Sequence, residues 1–142
     1  MPCVLVTPTD PEPARRRVVI DASVALRLLL DGSPEAAAVV ASGELTAPEV
    51  IVAETLNGLV SAVRFTGLDL NSAAALLERF LRLPIELVAD RELAAETLGV
   101  ATELGLSAYD ASYVALALAR DLPLFTADKP VAARYPRSEL IP

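Results

Sequence analysis

Four acidic side chains stand where a carboxylate is costly to keep. Asp21 ends the apolar run Val18-Val19-Ile20, and Glu54 sits among Ile51, Val52, Ala53, Thr55 and Leu56. Asp110 opens the stretch Ala111 to Ala117, and Asp128 follows Leu124-Phe125-Thr126. Three or four carboxylates brought together repel one another and partly protonate unless a cation offsets them. All-oxygen donors select Mg²⁺ or Mn²⁺ over zinc or copper. Such an ion activates water and holds a phosphate for in-line attack, so the chemistry this set would serve is phosphodiester hydrolysis.

Each acid also has a purely structural use. Asp21 and Asp128 have the residue type and position of helix N-caps, and Glu54 has the composition of a solvated helix residue. Asp110 closes the pattern Ser107-Ala108-Tyr109-Asp110, which has the form of a capping box. Asn57 lies three residues beyond Glu54, shares its helical face, and is placed to hydrogen-bond and orient that carboxylate.

Other chemistries are removed by composition. The 142-residue chain has no histidine and a single cysteine, Cys3. Ser-His-Asp and Cys-His catalysis, His- or Cys-ligated zinc and an internal disulfide framework are therefore excluded, and a reducing cytoplasm is the expected compartment. No G-x-x-x-x-G-K-[ST] loop or G-x-G-x-x-G turn is present, so a nucleotide has no visible cradle. The net charge of −7 does not suit a protein that binds nucleic acid by phosphate neutralisation alone. Arg15, Arg16, Arg17, Arg64, Arg79, Arg82, Lys129 and Arg134 are the candidate phosphate contacts, each equally readable as surface solvation.

The elements that must carry the acids follow from periodicity and caps. Arg17 to Ile20, Glu44 to Ala47, Pro84 to Val88, Leu122 to Thr126 and Ser138 to Ile141 read as strands. Helices are expected over Ser23 to Leu30, Ser33 to Ala41, Pro48 to Phe65, Asn71 to Arg82, Asp90 to Leu104 and Ser107 to Arg120, with Gly67 and Gly105 as stops and Asn71 as a cap. Strands alternating with helices imply an α/β fold, a three-layer α/β/α domain over 18–142 with a central, mostly parallel sheet of four to five strands. Residues 1–17, with four prolines and their positive charges after the apolar stretch, read as a flexible tail rather than a signal peptide. No apolar run is long enough to span a bilayer, so no membrane partner is expected.

The ordered segments Val19 to Ser23, Pro48 to Asn57, Tyr109 to Ala117 and Leu124 to Asp128 resemble the PIN-domain nucleases, and most closely the VapC toxins of type II toxin–antitoxin pairs. The likeness covers Val18 to the C-terminus. It implies that Asp21, Glu54, Asp110 and Asp128 surround Mg²⁺ or Mn²⁺, with Ser23, Asn57 and Thr126 as supporting polar groups. It further implies an RNA substrate, a homodimer, and a cognate VapB-like antitoxin lying across the catalytic groove. The alternatives are a solitary PIN nuclease, a non-catalytic RNA-binding or regulatory domain, and a haloacid-dehalogenase-type phosphatase with Asp21 as nucleophile. The last of these ordinarily needs a second Asp where Ser23 stands.

Overall fold

The computed structural model describes residues 15–142. Five strands form one sheet: β1 (Arg16–Ile20), β2 (Gly43–Pro48), β3 (Ile85–Val88), β4 (Leu124–Thr126) and β5 (Ser138–Leu140). Their order across the sheet is β3-β2-β1-β4-β5, and every pairing is parallel. Each expected strand is present, and the sheet is wholly parallel. Val18, Val19 and Ile20 are buried in succession, the pattern of a central strand covered on both faces. Arg16, expected in the tail, and Arg17, expected both to end the tail and to open the strand, pair with Gly43 and Glu44 as the first residues of β1, while residues 1–14 of that tail lie outside the described residues.

Seven helices connect and cover the strands among the described residues: α1 (Ala22–Asp31), α2 (Pro34–Ser42), α3 (Val50–Phe65), α4 (Leu70–Leu81), α5 (Ala94–Leu104), α6 (Ala108–Arg120) and α7 (Lys129–Arg134). None of the helices is long and apolar enough to cross a membrane. The helix α1 packs on α2, α3 and α4, while α6 lies against β1, β2 and α5, which gives the three-layer α/β architecture. Local chemistry sets most ends. Ser33 caps α2 with Pro34 behind it, and Gly32 and Gly105 take left-handed backbone after α1 and α5. Three boundaries differ from expectation. Pro48 closes β2 instead of opening α3, Asp69 rather than Asn71 caps α4 by accepting from the Ser72 N–H, and a 3₁₀ turn (Asp90–Leu93) leads into α5.

Chain direction through the sheet reverses between β1 and β4. From β1 the chain moves outward through β2 to β3, then returns to lay β4 on the other side of β1. In open parallel sheets the ligand crevice opens beyond the carboxyl ends of strands at such a switch point. Asp21 follows β1 directly, and Asp128 lies just past β4.

Candidate active site

Asp21 is the N-cap of α1, its carboxylate accepting from the backbone N–H groups of Ser23 at 3.0 Å and Val24 at 3.3 Å. The structural reading of this residue is thus correct, and the residue has more than that role. It is only 5% exposed, and two hydroxyls also donate to it, Ser23 Oγ to Oδ1 and Thr126 Oγ1 to Oδ2. Burial pushes its pKa from the ordinary 3.8 up to about 6, against the opposing pull of those hydrogen bonds. A helix cap at the surface would not be held in this state.

The hydroxyls of Ser23 and Thr126 lie 3.4 Å apart and join the two strand ends. The Ala127 N–H donates to Ser23 Oγ at 2.8 Å, and the Asp128 N–H donates to Thr126 Oγ1 at 2.9 Å. A continuous path therefore runs from the backbone of Asp128 through Thr126 to Asp21. Asp128 is itself the N-cap of α7, a one-and-a-half-turn helix beginning with Lys129 and Pro130, and it accepts from the Val131 N–H at 3.2 Å.

Glu54 projects half-buried from α3, whose first turn is tied down from outside. Asp90 Oδ1 accepts from the Val50 N–H at 3.2 Å, and Glu49 Oε2 accepts from the Asp90 N–H at 3.3 Å. Tyr113 OH, rather than Asn57, donates to Glu54 Oε1, at 3.1 Å. Tyr113 is 1% exposed, a buried phenol that ties α6 to the helix carrying Glu54. Sequence reasoning gave Tyr113 no role. Its one signal was a large polar-tipped side chain in a run of Ala, Val and Leu, and the partner lies 59 residues away.

Asp110 sits in the first turn of α6, where Ser107 Oγ accepts from its N–H at 3.1 Å. The capping interaction is therefore made by the Ser107 side chain to the Asp110 backbone. Burial raises its pKa, with repulsion from Asp128 adding to the rise and the Ser107 hydroxyl opposing it. Burial likewise raises that of Glu54, which Tyr113 opposes and which Asp110, Asp21 and Asp128 all reinforce. Glu54 thus feels the charge of the other three acids, and Asp110 that of Asp128. As placed, however, no three Asp, Glu or Cys side chains among the described residues converge closely enough to grip a single ion.

Among the described residues, several of the candidate phosphate contacts are already engaged elsewhere. Arg16, Arg17 and Arg82 are paired with Glu139, Glu44 and Glu78, and Arg134 donates to the Gly105 carbonyl at 3.1 Å. Lys129, beside Asp128, is the nearest cation in sequence to any of the four acids.

The PIN-domain family model matches residues 18–136, and the chain belongs to that family. Among solved structures it is similar to PAE2754 of Pyrobaculum aerophilum, at 25% identity and a TM-score of 0.71 over 87% of this chain and 83% of that one. It also shares its fold with a toxin–antitoxin complex of Klebsiella pneumoniae, at 17% identity and a TM-score of 0.64 over 86% and 95% of the two chains. A third similar structure is Mycobacterium tuberculosis VapC20, described as a sarcin-ricin loop cleaving toxin, at 19% identity and a TM-score of 0.58 over 82% and 93%. No curated protein matches the chain by sequence.

Proposed function

We propose that this chain is a Mg²⁺- or Mn²⁺-dependent endoribonuclease, acting in the cytoplasm as the toxin of a toxin–antitoxin pair. The observation that carries this reading is the position of Asp21 and Asp128 at the carboxyl ends of β1 and β4, beside the switch point of a PIN-family sheet, supported by a Glu54 pKa raised first by burial and further by the charges of Asp110, Asp21 and Asp128, as expected of carboxylates within one electrostatic field. A field of that kind calls for a cation. The donor set fits Mg²⁺ and Mn²⁺, being all oxygen. Mg²⁺ keeps several of its own waters and takes as few as one or two carboxylates directly, so the absence of a three-carboxylate grip among the described residues is compatible with it.

When bound, such an ion supplies positive charge to the phosphate and makes a water acidic enough to attack at neutral pH. The chain's own groups do the placing. Ser23 and Thr126 donate to Asp21 and hold its carboxylate in one orientation, ready to ionise once the charge of the crevice is offset. Tyr113 occupies Glu54 Oε1, which leaves Oε2 as the free acceptor of that side chain. Hydrolysis then joins the water oxygen to phosphorus as the bond to the leaving sugar oxygen breaks. One proton of the water goes to a base and one is returned to that oxygen.

The phosphatase alternative is disfavoured because both Asp21 oxygens are engaged by hydroxyls and Ser23 stands where its acid/base group would be. An antitoxin partner is supported by the toxin–antitoxin proteins among the similar structures and by an apolar groove between α3 and α4, lined by Leu56, Val60, Val63, Leu70 and Leu77. A homodimer is supported by α5, none of whose residues is buried within the single chain. The test is direct. Purified chain freed of any antitoxin should degrade RNA with Mn²⁺ or Mg²⁺, stop with chelator, and lose at least a hundredfold in rate on Asp21→Asn. Cleavage untouched by both chelator and substitution would refute the reading.

A further inference from the structure

Beside the acidic crevice, and sharing Glu54 with it, lies a hollow of about 370 Å³ bordered by Val50, Ala53, Asn57 and Tyr109. Its size falls within the roughly 300–1,000 Å³ of sites that hold small organic groups. Val50, Ala53, Glu54 and Asn57 recur at helical spacing on one face of α3, and Tyr109 faces them from the first turn of α6. With Tyr113 engaged on Glu54, Asn57 is exposed, and its amide offers one donor and one acceptor side by side. Tyr109 is 63% exposed, an aromatic face held open to solvent one residue before Asp110.

We propose that this hollow is a nucleobase subsite, in which an unpaired RNA base next to the cut stacks on Tyr109 and is read along its edge by Asn57. The proposal rests on the ribonuclease reading and adds how that site selects its substrate. An acidic chain of net charge −7 gains little from phosphate neutralisation, so affinity and choice of sequence must come from the bases. Sequence-specific recognition of single-stranded RNA works in this way, by an aromatic platform and hydrogen bonds to the base edge. Val50 and Ala53 supply the apolar wall, and Glu54 sets the distance from the stacked base to the phosphate under attack.

Total RNA treated with the full chain, with Tyr109→Phe, with Tyr109→Ala and with Asn57→Ala tests this, the new ends being mapped by sequencing and each protein's mass in solution being measured. The wild type should cut with a base preference at one position flanking the break. Tyr109→Ala should lose about tenfold in rate, as expected when a base loses its stacking partner, Tyr109→Phe, which keeps the aromatic face, should lose far less than Tyr109→Ala, and Asn57→Ala should flatten the preference at that position. Unchanged preference in Asn57→Ala, or an unchanged rate in Tyr109→Ala, would overturn the subsite alone. So would a Tyr109→Ala chain whose loss of rate tracks a change in mass, since Tyr109 also borders the hollow towards Leu98 on α5 and would then belong to an interface. A wild-type chain that cuts no RNA would overturn both the subsite and the ribonuclease reading.

Discussion

Replacing Asp21 with asparagine is expected to make the metal-free protein more stable at neutral pH while abolishing its activity. The folded chain holds the Asp21 proton more tightly than the unfolded chain does, because burial lifts the pKa from 3.8 to about 6. The sign follows from that order: the contribution of neutral Asp21 is complete below about pH 4 and is lost as pH rises through 6. The gap corresponds to roughly 3 kcal/mol once the group is ionised at pH 7.5. Asparagine removes that penalty, but its NH₂ faces hydroxyls that now donate to Asp21, at a cost of about 1 kcal/mol. The net expectation is a gain of about 2 kcal/mol at pH 7.5, a few degrees in Tm for a domain of this size, shrinking to about zero near pH 4.5. Urea unfolding in EDTA from pH 4.5 to 8, run on both chains, reads it directly. Two stability curves that stay parallel across that range would refute the assignment of a strained, buried carboxylate at position 21.

Thr126→Val removes the hydroxyl that donates to Asp21 and accepts from the Asp128 N–H, so it should cost about 1–3 kcal/mol in the same unfolding assay and raise the Asp21 pKa further. Tyr113→Phe takes away a hydrogen bond that favours ionised Glu54; the acid limb of the RNA-cleavage pH profile should move upward, with the far-UV spectrum unchanged. Gly58→Val should cost about 1–3 kcal/mol by thermal melting, because even a Cβ at Gly58 would meet Leu26 Cδ1 at 2.4 Å and force the Leu26 side chain to repack between α1, which carries Asp21, and α3, which carries Glu54.

The parts of this molecule that were legible in the sequence are those fixed by neighbours along the chain. Ser33-Pro34 announced α2, Gly105 ended α5, and the β-branched run before Asp21 marked the central strand. The chain order of strands and helices, with an acid directly after β1 and another just past β4, was enough to indicate a crevice at the carboxyl edge of a parallel sheet. Local signals also misled where two candidates competed. Asp69 and Asn71 both suit a cap, and only the structure shows that the aspartate accepts from Ser72. The helix α7, six residues behind Asp128, carries too short a pattern to stand out by periodicity.

Side-chain partnerships across the fold were not legible. The family resemblance names Ser23 and Thr126 as supporting groups, but no spacing shows that their hydroxyls, 103 positions apart, both donate to the Asp21 carboxylate. Glu54 finds Tyr113 of α6 rather than the nearer Asn57, a partnership that no spacing within α3 encodes. Asp110 was ambiguous between capping and function, and the structure separates the two by assigning the cap to Ser107 Oγ and the Asp110 backbone.

The central claim, that Asp21, Glu54, Asp110 and Asp128 act together on one divalent cation, is tested most directly by Mn²⁺ titration followed by electron paramagnetic resonance. The wild type and the single substitutions Asp21→Asn, Glu54→Gln, Asp110→Asn and Asp128→Asn should be compared at pH 7.5. Saturable Mn²⁺ uptake by the wild type, weakened at least tenfold by each of the four substitutions, is the result predicted. Uptake that none of the four alters would contradict it.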